Sequence, residues 1–231
     1  LETEDPAYLY RLGASLSDLE RFDLATRVFE KIVGRRPQTV EGWLDPVTYY
    51  LRVNDVDRAL GILEEAVAVM PDSLDISLAL ASTLDRAGRS EEATAVYEGL
   101  AQRGIKELDL FIYWGIHHEQ ASRWPQAIDA YRHGMVALGE VPELYIRWGI
   151  ALSRQERWHE AVDRYRKAAA IDSLFVDAHL HLGIAMDRIG RRSDAIERLE
   201  MAHRMNPAST TVMFYLGSVL ERESRDGGNE A

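Results

Sequence analysis

The sequence of 231 residues contains no cysteine, only three lysines and no long apolar run. The absence of cysteine excludes a disulfide framework and thiolate chemistry, and it fits the cytosol as well as an export compartment. No run approaches the 18 apolar residues of a membrane-spanning helix, so we expect no direct membrane insertion. The net charge of -11 at pH 7 argues against a general nucleic-acid binder, which normally carries a basic stripe.

Signatures of catalysis and of metal binding are also missing. The sequence has neither the phosphate-cradling GxxxxGK[ST] motif nor the nucleophile motif GxSxG. All seven histidines lie between residues 117 and 203, and the closest pairs are one or two residues apart. A helical zinc pair needs a spacing of four, so that both rings share a face. We therefore predict no enzyme activity, no metal and no other cofactor.

One segment of the sequence occurs as two similar copies. Residues 111–134 and 145–168, offset by 34 residues, are identical at ten of 24 positions. Self-similarity at a fixed period of 20–50 residues predicts a repeat architecture. The matched pairs are Ile112/Ile146, Trp114/Trp148, Gly115/Gly149, Ile116/Ile150, Arg123/Arg157, Trp124/Trp158, Ala127/Ala161, Asp129/Asp163, Tyr131/Tyr165 and Arg132/Arg166.

The same period divides almost the whole chain. In each 34-residue unit a first helix is predicted from apolar residues at positions 4, 7 and 11 and a small residue at position 8. A second helix follows, with alanine at position 20 and an aromatic residue or leucine at position 24. Small residues at positions 8 and 20 let the two helices approach each other closely. The alanines are Ala25, Ala59, Ala93, Ala127, Ala161 and Ala195.

This pattern resembles the tetratricopeptide repeat family, whose repeat reads Trp-x2-Leu-Gly-x2-Tyr, then Ala-x3-Phe, then Pro. The resemblance implies an all-α, right-handed α-solenoid of helix-turn-helix repeats spanning residues 1–222. It also implies that a final helix at 210–222 caps the last repeat. Residues 223–231 have no periodicity, so we predict that they form a tail. The predicted repeats are 6–39, 40–73, 74–107, 108–141, 142–175 and 176–209.

Repeat 2 departs from the pattern, because Pro46 stands where leucine is expected. A proline inside a helix removes a hydrogen bond and clashes with the preceding turn. Either the helix is kinked at this point, or it begins late, with Asp45 as its N-cap and Pro46 as its first residue. The late start is the favoured interpretation.

By the resemblance, positions 2, 5, 9, 12 and 13 of each first helix line an inner face. In repeats 4–6 this face carries an aliphatic strip that continues to a final phenylalanine, and an arginine row runs beside it, broken at Gln120. The carboxylate clamp of the family is not implied, because its lysine and asparagine positions hold Tyr10 and Ala14. The predicted peptide-binding residues are Tyr10, Arg52, Arg86, Ile112, Ile116, Glu119, Ile146, Ile150, Arg154, Leu180, Ile184, Arg188, Phe214 and Arg222.

Two interpretations of this face stay open. In one, the isoleucines pack between neighbouring helices and the arginines are ordinary surface residues. In the other, the strip binds a peptide or helical segment of another protein, and the arginines pair with its acidic residues. The second predicts a protein–protein interaction scaffold or adaptor. Alternatives are self-assembly into a homo-oligomer through the outer face of the first helix, and a regulatory portion of a larger protein. The latter fits a first residue that is Leu and not Met.

Overall fold

A computed structural model describes residues 6–227. Within that range the chain forms thirteen α-helices in tandem and no strand. The all-α prediction is therefore confirmed. The helices divide into two compact units between Ile105 and Lys106, called unit 1 and unit 2 below. The proposal that residues 1–222 form one continuous solenoid stays a prediction. None of the thirteen helices combines the length and the apolar character needed to cross a membrane.

Unit 1 consists of three helical hairpins, and their first helices each have thirteen residues. The helix bounds are α1 Pro6–Asp18, α2 Phe22–Gly34, α3 Val40–Arg52, α4 Val56–Val69, α5 Leu74–Arg86 and α6 Ser90–Gln102.

Unit 2 consists of three further hairpins and a final single helix. That helix continues five residues past the predicted end at 222, and Arg225 in this extension pairs with Glu221 one turn earlier. The bounds are α7 Leu108–Gln120, α8 Trp124–Leu138, α9 Pro142–Arg154, α10 Trp158–Ile171, α11 Val176–Arg188, α12 Arg192–Met205 and α13 Thr210–Gly227.

Within each hairpin the close approach occurs at the three positions that the repeat predicts. All six alanines at position 20 have no exposed surface. A methyl group added to Gly149 at position 8 would overlap the ring of Tyr165 at position 24, and Gly115 stands in the same relation to Tyr131. In repeat 6 a methyl group on Gly183 would lie 2.6 Å from Leu199 Cγ. In these repeats the large side chain at position 24 thus fills the space left by the glycine at position 8.

The turn inside every hairpin has the same backbone conformation. Position 15 has a positive φ in all six repeats, between 55° at Ser122 and 80° at Gly190. Glycine adopts this left-handed conformation without steric cost, whereas other residues are strained there. Only two of the six repeats have glycine at this position. The residues are Glu20, Asn54, Gly88, Ser122, Glu156 and Gly190.

The predicted late start of repeat 2 is wrong. Helix α3 begins at Val40, and the Thr39 side chain caps it by accepting a hydrogen bond of 3.2 Å from the Gly42 N–H. Pro46 is buried inside the helix. A proline there costs about 3 kcal/mol, but the early start buries Trp43 completely and lets its Nε1 donate to the Pro37 carbonyl at 2.8 Å. The burial of Trp43 and its hydrogen bond therefore stabilise the first turn of the helix.

A buried carboxylate links the last three helices of unit 2. The side chain of Asp187 on α11 is 8% exposed, and its Oδ2 lies 2.9 Å from Nη2 of Arg222 on α13. Its Oδ1 lies 3.7 Å from Nε of Arg192 on α12. One carboxylate therefore connects three successive helices.

Candidate functional site

The site predicted from the sequence lies on the first helices of the repeats. In unit 2 these are α7, α9, α11 and α13, and each contacts the next in this order. Position 9 of these helices carries isoleucine in three consecutive repeats. Ile116, Ile150 and Ile184 are all half-buried, and we call them the position-9 isoleucines. Ile150 and Ile184 rest their inner sides on the core of unit 2, so the rest of each side chain faces solvent.

Unit 1 shows which way position 9 faces. There the same position holds Ala14, Thr48 and Ser82, and all three are exposed. Unit 2 thus places large aliphatic side chains at a position that faces solvent in unit 1. The core of a hairpin does not require an isoleucine there.

Position 5 behaves differently, and this corrects the predicted strip. Ile146 is 6% exposed and Leu180 is 8% exposed, and both belong to the hydrophobic core of unit 2. They pack between neighbouring helices, so they are structural and do not offer a surface. Ile112, at position 5 of α7, is half-buried.

The aliphatic strip ends at an uncovered helix. Phe214 is 69% exposed, and Met213 and Leu220 are also exposed. The opposite side of α13 buries Val212 and Val219 and packs on α12, and its role as a cap stays a prediction. No second helix follows it within the described residues. As a result, no atom lies within 4 Å of a methyl group added at Gly217, the position that a bulky side chain crowds in repeats 4–6.

Part of the arginine row is occupied by internal contacts. Arg222 pairs with Asp187 as described, and Arg52 Nη1 lies 2.9 Å from Asp18 Oδ1. The guanidinium of Arg188 lies 5.5 Å from the ring centroid of Trp158. These contacts stabilise the fold and leave Arg52 and Arg222 less available to a partner than the sequence predicts.

Two arginines of the row are exposed without such contacts. Arg86 in unit 1 and Arg154 in unit 2 have no hydrogen bond or ion pair with any residue that the structure describes. Glu119 is half-buried and accepts a hydrogen bond of 2.8 Å from the Tyr131 hydroxyl. It therefore supports the hairpin α7–α8 and is not a free acidic group.

The histidines of α7 are core residues. His117 and His118 are both buried, and their ring centroids lie 4.7 Å apart. Burial, together with the neighbouring charges of His117 and Arg123, lowers the pKa of His118 to about 4. Across residues 6–227 no three histidine or acidic side chains come together as metal ligands.

One feature was not predicted from the sequence. Tyr10 and Arg52 line a cavity of about 290 Å³ in unit 1, together with Ser17 and Asp45. The sequence signal is Ala14, whose small side chain at the solvent-facing position 9 leaves this space open.

The tetratricopeptide repeat family matches residues 50–104. No curated protein matches the chain by sequence. Among solved structures, YrrB, described as a TPR protein with an unusual peptide-binding site, has a TM-score of 0.53 at 17% identity, covering 80% of this chain and 96% of that one. MamA from Desulfovibrio magneticus RS-1 has a TM-score of 0.56 at 16% identity, covering 73% and 95%.

The APC/C hetero-tetramer Cut9–Hcn1 also has a TM-score of 0.56, at 14% identity, and the match covers 95% of this chain and 44% of that one. At these identities the likeness shows a shared fold. Together with the matched segment and the six hairpins of constant period, it shows that this chain has the fold of the tetratricopeptide repeat family.

Proposed function

We propose that this chain is a non-catalytic protein-interaction scaffold, which holds a peptide or helical segment of another protein against the first helices of unit 2. The observation that carries the proposal is the set of position-9 isoleucines. They are large, aliphatic and half-exposed, at a position that holds small or polar residues in unit 1. An apolar surface bordered by charge is typical of an interaction site.

The chemistry of the surface defines the partner. Fully burying an isoleucine side chain contributes about 1.5–3 kcal/mol, so covering the smaller, exposed part of each position-9 isoleucine contributes about 0.5–1 kcal/mol per residue. Apolar side chains spaced to meet three successive helices would supply that cover. Arg154 and Arg188 border the surface, and they favour a segment with acidic residues beside its apolar ones. Peptide recognition by YrrB, as its description states, supports this use of the fold.

The experiment begins with crosslinking in the native cell to recover a partner segment, which is then synthesised. Its affinity is measured by fluorescence anisotropy for the wild type and for Ile116→Asp and Ile150→Asp. We expect each variant to weaken binding at least about tenfold, since roughly 1.4 kcal/mol corresponds to a factor of ten and a buried carboxylate adds its own desolvation cost.

The matched control is Val136→Asp on α8, because Val136 is an aliphatic residue that is 89% exposed on a second helix. It should leave the affinity unchanged. Helical circular dichroism has to stay near the wild-type value in all three variants. An unchanged affinity for the folded Ile116→Asp and Ile150→Asp proteins would contradict the assignment of the site.

A second candidate is self-association, and the uncovered face of α13 favours it. Met213 and Leu220 are exposed where a second helix packs in the preceding repeats, and Phe214 is exposed at the position that packs between neighbouring helices in repeats 5 and 6. A second copy of the chain offers the same apolar face, so two copies can bury it against each other. Light scattering over a range of concentrations tests this candidate, and a strict monomer at all concentrations rejects it.

A further inference from the structure

The cavity in unit 1 lies between α1 and α3 and has the chemistry of a binding pocket. Its aromatic wall consists of Phe29 and Tyr49, both buried, whose rings stack with centroids 4.7 Å apart. The Tyr49 hydroxyl donates to the Phe22 carbonyl at 2.9 Å and contacts the Thr26 hydroxyl at 2.7 Å. The ring of Tyr49 is thereby fixed by α2, so the wall is formed in advance of any ligand.

Two polar groups at the cavity lack partners. Ser17 is 4% exposed, and its Oγ has no hydrogen-bond partner among residues 6–227. A buried hydroxyl without a partner is costly in a folded protein. Asp45 is an exposed residue whose carboxylate has no counterion within the same part of the chain, and partial burial of the carboxylate and the nearby charge of Glu41 raise its pKa. Both groups would be stabilised by a positively charged N–H donor in the cavity.

The cavity itself is lined by two carboxylates and two guanidiniums, and the space beside it adds two further carboxylates. A second cavity of about 660 Å³ adjoins the first and shares Ser17, Asp18, Tyr49 and Arg52 with it. Four carboxylates and two guanidiniums line the two cavities. One guanidinium, Arg52, is already paired with Asp18. The Nε of the other, Arg11, donates to the Ala7 carbonyl of its own helix at 3.2 Å. The carboxylates are Asp18, Glu20, Asp23 and Asp45.

We propose that the cavity between α1 and α3 is a binding pocket for one basic side chain, lysine or arginine, of a partner protein. The cation lies against the ring of Tyr49, pairs with Asp45 and donates a hydrogen bond to Ser17 Oγ. Aromatic faces and carboxylates are the groups that hold ammonium and guanidinium ions. A cavity of about 290 Å³ lies at the lower limit of ligand pockets, which suits a single side chain.

The test uses N-acetyl-arginine amide and N-acetyl-lysine amide as probes, and follows the backbone amide signals of Ala14, Ser17 and Thr48 by NMR. We expect saturable shifts at these residues, with a dissociation constant on the order of 1 mM. The glutamine and glutamate analogues of the probe should produce no such shifts. Equal binding of the glutamate analogue would overturn the proposal, because it would assign the pocket to Arg11 and Arg52 and to anions.

Two variants test the pocket independently of the probes. Asp45→Asn keeps the shape but removes the charge, and should weaken binding of the arginine probe about tenfold. Ala14→Leu fills the cavity and should abolish the shifts. The control is Asp75→Asn on α5, an exposed carboxylate of the same unit that lines neither cavity.

Thermal melts have to show that all three variants fold. Unchanged binding in folded Asp45→Asn and Ala14→Leu refutes the pocket. This outcome is independent of the proposed function, because the position-9 isoleucines lie in unit 2 and are tested with a different ligand.

Discussion

Replacing Gly149 by alanine tests the close packing of positions 8 and 24 in the hairpins that have glycine at position 8. The added methyl group would overlap the Tyr165 ring. That ring cannot easily move away, because Tyr165 is 2% exposed, its hydroxyl lies 3.0 Å from Ser153 Oγ, and His181 stacks on it with centroids 5.4 Å apart. Overpacking of this kind costs about 1–3 kcal/mol. Alanine regains up to about 1 kcal/mol through its helix propensity, so we expect a net loss of about 1–2 kcal/mol.

Gly217→Ala is the matched control, because Gly217 holds the same repeat position in α13 but has open space around it. There only the propensity gain applies, and we expect about 0.5–1 kcal/mol of added stability. Urea unfolding followed by circular dichroism gives both free energies. The two substitutions should therefore change the free energy of unfolding in opposite directions.

The Tyr165→Ala background tests whether the Tyr165 ring causes the loss of stability in Gly149→Ala. In Tyr165→Ala the overlapping atoms are absent, so adding Gly149→Ala should be neutral or stabilising. The coupling energy of the double-mutant cycle should then be at least about 1 kcal/mol. Equal stability changes at Gly149 and Gly217, or a cycle without coupling, would refute the argument that position 24 fills the space above position 8.

Two further predictions concern the hairpin turn and the buried histidine. Glu156→Gly should raise the free energy of unfolding by about 0.5–1 kcal/mol, because Glu156 has a φ of 59° and its left-handed strain exceeds the entropy cost of glycine. Gln155→Gly is the control, since Gln155 is the adjacent C-cap with a φ of -94°, and it should lower the free energy of unfolding. The midpoints of urea unfolding compare the two variants. The pKa of His118 is about 4 in the folded chain and about 6.5 in the unfolded one, so the unfolded chain binds the proton more tightly. The stability contribution of neutral His118 is then complete above pH 6.5 and is lost as the pH falls from 6.5 towards 4. His118→Asn should lose less stability between pH 7 and pH 5 than the wild type, whereas the exposed His133→Asn should follow the wild type.

The hairpins could be predicted because their packing follows the repeat. Residues that share a repeat position share an environment, and so Ala127 and Ala161 identify the same contact in two places. The same reasoning failed at Pro46, where a completely buried Trp43 on the preceding turn outweighs the local cost of proline. Propensity is a weak guide where tertiary packing opposes it.

The site could be predicted only in part, since a period fixes the face of a helix but not the depth to which a neighbour covers it. Ile146 and Ile150 lie one turn apart on the same helix, yet Ile146 is in the core and Ile150 is half-exposed. Ion pairs between successive repeats could have been predicted from the sequence. Asp18 and Arg52 are separated by one period of 34 residues, so opposite charges at equivalent positions of successive repeats indicate a pair. The cavity in unit 1 could not be predicted from the small Ala14 alone, because tertiary packing sets the positions of the Ser17 hydroxyl and of the Phe29 and Tyr49 rings.

The carboxylate of Asp187 has a consequence for how unit 2 opens. Repeat proteins can unfold locally from their ends, because each repeat contacts only its neighbours. Here α13 cannot detach without removing the 2.9 Å partner of a nearly inaccessible carboxylate. Since α12 supplies the second partner from Arg192, fraying of either helix weakens the hold on the other. The last three helices should thus exchange their amide hydrogens as one cooperative block, more slowly than a terminal helix held by apolar contacts alone.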